Sequence, residues 1–520
     1  MKKILMAVFA ILMTAAWVAP AMADTTFYGT YRVRLFSTNN ASDYNSSGDT
    51  KTYSGVGSNV TTTAAANPTD NNSWVDQRFR LGVESKASDN LRGFVQLEIG
   101  DTNGPNRSHV WGSGAAGNDW GTANNENNRV NVRQAYLSFS AGPVRVKAGR
   151  QVFGDAPDGG QSFRVADDGV YYGLIDGGLI LVSQIDAFIL TTKAVDPMTL
   201  YFGYAKLTEA SYSATTSTSV PSTTTDSSDR DNTLYILQAT AAPSDTLKAG
   251  AYFLYDRDRT TIVQTSATKS TNSTGQNSPW WLGAGVEAKL NPINLKVHGA
   301  YKGGKQDKGC QPGSCGIAAT GSAADRKYSA YAIDGDVSMN LGQATVGVAA
   351  GLGSGDKSTQ DEKSQNFTGV VGSYGNQLGV RPAIFFDNGE VSNGGASLAT
   401  VSSNSIDRTT LGNITFAQLY GSFKATDDLT LSGLYAGFWH SQNKQTTGAA
   451  TSTEWESKLG TEFDLTAVYK LYPQLAIVGQ LAWFMPGDGI KSSKNQAGNW
   501  SGNAADDAVS EYFAKIQYDF

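Results

Sequence analysis

The closing decapeptide, Glu511-Tyr-Phe-Ala-Lys-Ile-Gln-Tyr-Asp-Phe520, decides the fold. Tyr512, Ala514, Ile516, Tyr518 and Phe520 alternate with Glu511, Phe513, Lys515, Gln517 and Asp519. Successive strand side chains point to opposite faces, so a period of two makes one apolar face and one mostly polar face. The same rhythm runs near the other end of the chain. Tyr31, Val33 and Leu35 alternate with Thr30, Arg32 and Arg34, and Phe79, Leu81 and Val83 with Arg78, Arg80 and Glu84. After a tight turn at 87–90, Leu91, Val95, Leu97 and Ile99 face away from Arg92, Gln96 and Glu98.

Further strands read near 134–140, 144–151, 179–191, 199–207, 233–241, 246–255, 281–290, 294–302, 328–339, 344–352, 414–424, 429–440, 462–471 and 475–484. Stretches of about nine to eleven residues suit a tilted bilayer crossing. Strands of a soluble sandwich are nearer five or six residues. The connections alternate in length. Short turns fall at 87–90, 141–143, 195–197, 242–245, 291–293, 341–343, 426–428 and 472–474. Long Ser/Thr/Asn/Gly loops lie at roughly 37–73, 101–129, 152–178, 208–232, 256–279, 303–325, 353–411, 441–455 and 485–508. One-sided alternation is what antiparallel strands give when one barrel rim carries tight turns and the other long loops. Nine long and eight short connections predict an all-β, up-and-down transmembrane barrel of 18 strands. The alternative count is 16, because 169–174 reads either as another strand or as part of the third loop. Trp74, Trp280, Trp281, Trp439, Trp455 and Trp483 fall at the expected long-loop rim, and Tyr469, Tyr472 and Tyr518 at the other, as amphipathic rings do at headgroup depth.

Composition agrees. Only 17% of the 520 residues are charged and 57 are glycine, while aromatics reach 10%, too many for a disordered chain. The net charge of −6 argues against nucleic acid as a partner. Residues 1–23 read as a signal peptide: Lys2 and Lys3, an apolar run over 4–18, and the small-residue site Ala21-Met22-Ala23. The barrel is expected to occupy 24–520. Cys310 and Cys315 form a C-x4-C pair in a polar segment, which in an exported chain reads as a disulfide stapling that loop.

These residues also resemble a family, the outer-membrane porins of Gram-negative bacteria. The resemblance rests on the exported start, the strand Phe27-Tyr-Gly-Thr-Tyr-Arg-Val-Arg34, and Val132-Arg-Gln-Ala-Tyr-Leu-Ser138 running through a short turn into Val144-Arg-Val-Lys-Ala-Gly-Arg-Gln151. A terminal Phe520 matches the assembly signal that the barrel insertion machinery reads in such proteins. The resemblance implies that loop 152–178 folds into the lumen, carrying Asp155, Asp158, Arg164, Asp167 and Asp168. On the polar parity of the neighbouring strands lie Arg32, Arg34, Arg78, Arg80, Arg92, Arg145 and Lys147. An acidic loop would then face a basic wall, and a transverse field favours solutes that can orient dipoles in it. Arg133 falls on the lipid-facing parity and so implies either snorkelling at the rim or a β-bulge; Arg150 raises the same question. The resemblance further implies a homotrimer in outer-membrane lipid and lipopolysaccharide.

His109, His298 and His440 share no short motif, so metal and Ser-His-Asp chemistry lack support. No phosphate-loop motif and no haem-attachment motif occurs. The reading is a passive, cofactor-free, non-enzymatic channel for small hydrophilic solutes. The alternatives are a substrate-specific channel, for which Phe94, Phe484 and Phe513 on the inward parity are a hint of an aromatic slide, and a barrel sheathing a surface or redox partner.

Overall fold

A computed structural model describes residues 24–39, 50–55, 58–63, 72–99, 109–110, 130–153, 179–181, 183–209, 231–259, 262–263, 273–274, 277–307, 325–358, 361–370, 382–386, 406–408, 410–448, 451–495, 500–502 and 508–520. Eighteen long strands build one sheet. They are β1 (Asp24–Asn39), β2 (Asn72–Ser88), β3 (Leu91–Ile99), β4 (Val130–Ala141), β5 (Val144–Phe153) and β6 (Ser183–Val195). Next come β7 (Met198–Thr208), β8 (Asn232–Ser244), β9 (Leu247–Asp258), β10 (Asn277–Lys289), β11 (Ile293–Asp307) and β12 (Ala330–Leu341). The last are β13 (Ala344–Gly353), β14 (Ile414–Lys424), β15 (Leu429–His440), β16 (Lys458–Tyr472), β17 (Leu475–Pro486) and β18 (Val509–Asp519).

Each strand pairs antiparallel with its neighbours in sequence, and β1 pairs with β18 to close the cylinder. The count of 18 stands. Eight tight turns sit on one rim, where sequence placed them, because Gly, Pro, Asn and Asp at those points favour reversal. Strand ends differ by a few residues from the sequence expectation, with one larger correction. β6 starts at Ser183, and 179–181 is a buried turn rather than strand.

The outward face is apolar. Leu35, Leu137, Phe188, Phe202, Leu282, Val348, Leu419 and Ile516 are all exposed there, as a lipid-facing surface requires. No described helix is long and apolar enough to cross a membrane, and the crossing is made by strands. Arg133 resolves as a bulge. Gln96 opposes Gln134 while Leu97 opposes Val132, so Arg133 is the extra residue and turns inward to 4% exposure. Arg150, by contrast, stays on the outer face, 3.2 Å from Asp186 of the next strand.

Residue 520 closes the seam. Phe520 and Gly29 exchange two backbone hydrogen bonds, of 2.8 and 2.9 Å, and the Phe520 ring lies over Gly29 beside Phe79. A Cβ at position 29 would fall 1.9 Å from Phe520 Cζ, so only glycine lets the ring settle there.

Two expectations about the long-loop side are corrected. Segments 441–455 and 485–508 are not plain loop: Lys444–Gly448, Thr451–Trp455, Ser492–Asn495 and Trp500–Gly502 form a four-stranded sheet, with a short helix α1 at Asp488–Lys491. The 353–411 connection is not wholly external either, because several of its described parts pack inside the barrel. Their partners on the inner wall are apolar. Ile185, Ile189, Leu234, Ile236 and Leu254 line the β6–β9 side, and Phe416, Leu434, Phe438 and Phe484 line the β14–β17 side. The mostly polar inner face expected from periodicity therefore holds for only part of the circumference.

Candidate functional site: the charged inner wall

The expected pore-wall residues lie together inside the barrel on β1–β5. Cross-strand register sets Arg32 against Arg78 and Arg34 against Asp76, with Arg80 two positions further along β2. Arg32, Arg34, Arg78, Arg80 and Lys147 are each no more than 1% exposed, and Arg92 is buried beside them. Arg145 lies nearer the tight-turn rim, where its Nε donates to Ser140 Oγ at 3.4 Å. Charges buried this deeply need partners. Arg34 supplies a two-pronged bond to Asp76, Nε to Oδ1 at 2.9 Å and Nη2 to Oδ2 at 2.6 Å. Glu98 accepts from Arg80 Nε and, at 3.2 Å, from Arg133 Nη1. Glu84 accepts from Arg92 Nη1 at 3.2 Å and from the Tyr28 hydroxyl at 3.0 Å.

The basic wall expected is thus an interleaved ladder of cations and carboxylates. It keeps a positive excess. Arg32, Arg34, Arg78, Arg80, Arg92, Arg133, Lys147 and Lys515 are buried on β1–β5 and β18, against Asp76, Glu84, Glu98 and Glu511. Eight cations meet four carboxylates. Aromatic faces stand beside two of them: Arg34 lies 4.8 Å over Phe36 and Lys147 Nζ 4.1 Å over Tyr136, distances at which a ring quadrupole attracts a cation. Phe94, Phe484 and Phe513 do point inward, but they divide. Phe94 packs on Tyr136 and Phe513 on Phe36 at the charged wall, whereas Phe484, on the strand next to that of Phe513, belongs to the apolar packing of the β14–β17 side.

The other strands carry the acidic counterpart. Asp256 of β9, Asp334 of β12, and Glu462 and Asp464 of β16 are all buried on the inner face. His298 sits between two of these strands, with Nε2 2.9 Å from the Tyr252 hydroxyl and Nδ1 3.6 Å from Asp334. Tyr252 reaches it across Gly283, where a Cβ would fall 2.2 Å from the ring. Tyr420 does the same across Gly347 and donates to Asp336 Oδ1 at 2.7 Å. A bare strand position lets a ring on one neighbour reach the strand beyond.

Inward segments from two connections occupy much of the remaining space. Leu179, Ile180 and Leu181 are fully buried, and Ile180 O accepts from Val370 N at 2.8 Å. Trp281, expected at the rim, turns inward, and its Nε1 donates to Thr368 O at 2.9 Å. Lys302 Nζ bonds Thr368 Oγ1 and lies 4.4 Å over the Tyr328 ring. Residues 382–386 turn within the barrel, where Phe385 stacks on Phe438 at 3.8 Å. The constriction-loop residues Asp155, Asp158, Arg164, Asp167 and Asp168 lie outside the described residues, as do the Cys310–Cys315 pair, the 169–174 segment and residues 1–23.

Sequence reading missed Glu462, Asp464 and the inward segment they face. Two signals were present: Glu462 and Asp464 on the inward parity of β16, alternating with Phe463 and Leu465, and the apolar run Ile384-Phe385-Phe386 within a polar loop.

A closed, even-stranded antiparallel barrel, apolar outside and charged inside, with tight turns on one rim, defines a transmembrane β-barrel of the outer-membrane type. No known protein-family model matches the chain, and no curated protein sequence does either. Among solved structures it is similar to OccK8 (OprE) of Pseudomonas aeruginosa, at 12% identity and a TM-score of 0.47 over 96% of this chain and 98% of that one. It is also similar to a BenF-like porin from Pseudomonas fluorescens Pf-5 (14% identity, TM-score 0.45, 96% and 98% covered). The outer membrane protein opdK from Pseudomonas aeruginosa gives 12%, 0.44, 96% and 98%. At these identities the likeness is one of architecture.

Proposed function

We propose that this chain is an outer-membrane channel that passes small hydrophilic solutes selectively, with a preference for anions. The observation that carries the reading is the excess of buried cations, eight against four carboxylates, on the inner face of β1–β5 and β18. Charge lining a narrow, low-dielectric passage concentrates counter-ions there. A solute-selective channel fits better than a wide general pore, because inward-packed segments fill the β6–β10 and β14–β17 sides of the lumen. Passage is diffusive and needs no bond chemistry.

Cleavage after residue 23, a constriction from the acidic loop 152–178, recognition of Phe520 by the assembly machinery and a homotrimer in lipopolysaccharide-containing membrane belong to the same reading. Reversal potentials of the purified protein across a salt gradient in planar bilayers test it. Anion selectivity is the expected result, and a clear cation preference contradicts it. Saturating block of the current by one solute, measured across a panel, separates a selective channel from a general one.

A further inference from the structure

Segment 382–386 meets the barrel wall through its backbone. Glu462 and Asp464 are successive inward positions of β16, 0% and 1% exposed. Three consecutive amides converge on them. Ala383 N donates to Asp464 Oδ2 at 3.0 Å, Ile384 N to Glu462 Oε1 at 2.7 Å and Phe385 N to Glu462 Oε2 at 2.8 Å. Successive backbone amides turned to one side form a concavity suited to an anion, and here two wall carboxylates fill it. From the other direction Arg408 Nη1 donates to Phe385 O at 3.1 Å.

Two features argue that the acids are there for this contact. Among the described residues no Lys or Arg forms an ion pair with either carboxylate, so the amides are their partners. Their neighbours in register on β15 and β17 are Ala436 and Leu434, and Phe484 and Ala482. Burying two carboxylates among such residues is costly unless they hold something. Glu511 of β18, two strands away at the level of Asp464, is a third buried acidic side chain on this wall. Among the described residues, Asp407 and Arg408 are the charged groups of segment 406–408, which meets 382–386 through Arg408.

We propose that Glu462 and Asp464 form a latch that holds 382–386 inside the barrel and so limits the cross-section that conducts. This rests on the channel reading above. Gln and Asn keep the shape of the wall but replace one oxygen of each side chain with an NH2 that cannot accept a backbone N–H, and so weaken the hold.

The test pairs a structural readout with an electrical one on the full-length protein. Hydrogen–deuterium exchange in detergent follows the amides of 383–385, and planar-bilayer recording gives unit conductance, for the parent and for E462Q/D464N. The double variant is expected to exchange at 383–385 roughly tenfold faster or more, with exchange in β1–β5 unchanged, and to conduct more per channel. Unchanged exchange at 383–385 would overturn the latch. Faster exchange with the parent's conductance would overturn its role in limiting current. Absence of current through either protein would instead overturn the channel reading, while exchange would still show whether the carboxylates hold the segment. Should the double variant fail to insert, R408A leaves the barrel wall intact and is expected to shift both readouts in the same direction by less.

Discussion

At Glu98 two guanidiniums, of Arg80 and Arg133, share one carboxylate. Glu98→Gln leaves both cations facing a neutral amide. Breaking a buried ion pair in this way costs up to about 3–5 kcal/mol. The variant should therefore lose its folded, fast-migrating form at a lower temperature on gels, while its reversal potential moves further toward anions. Arg80→Ala should move selectivity the other way. Gly29 is a steric case. Any Cβ there meets the Phe520 ring, so Gly29→Val must push the terminal ring off the seam. Overpacking of this kind costs about 1–3 kcal/mol, and slower assembly into lipid vesicles is the expected readout.

The strand is the unit at which alternation can be tested. Leu419 of β14 faces lipid at 60% exposure, while its neighbour Gln418 is buried in the interior. Leu419→Arg should cost about 2–4 kcal/mol if the residue lies near the bilayer midplane, whereas Gln418→Glu should leave folding in vesicles far less affected. The tight turns behave differently. At the 425–428 turn Lys424 Nζ donates to Asp427 Oδ1 at 2.9 Å, and this bond with the lysine charge holds the Asp427 carboxyl below its usual 3.8. A carboxyl lowered on folding stabilises above its unfolded value and loses that contribution as pH falls through the folded one. Asp427 is fully exposed, so screening leaves little to lose. Asp427→Asn should therefore lower the unfolding midpoint at neutral pH very little, and whatever small difference exists between the two proteins should vanish as pH falls below about 4.

For the whole molecule, closure of the sheet brings groups from distant parts of the chain onto one inner surface. Arg133 and Glu98 are 35 residues apart, and Ala383 and Asp464 are 81 apart. The repeating two-residue pattern, the one-sided tight turns and the strand count were all readable along the chain. Each depends on residues a few positions apart, and a strand one residue out of phase would turn its apolar face to water. The inward parity of Arg32, Arg34, Arg78, Arg80, Arg92 and Lys147 was readable for the same reason. Arg133 was not, because parity breaks at a bulge and a bulge is defined by the partner strand. The basic wall's own carboxylates were visible as single residues but not as partners, since pairing is set by cross-strand register. The inward course of 382–386 lay further from view. Its polar surroundings read as external loop, and only the folded barrel supplies the apolar inner wall and the two buried carboxylates that make the interior its lower-energy place. Local periodicity by itself determined that this protein is a barrel and which way its strands face; what fills the lumen was decided by contacts that exist only after the sheet has closed.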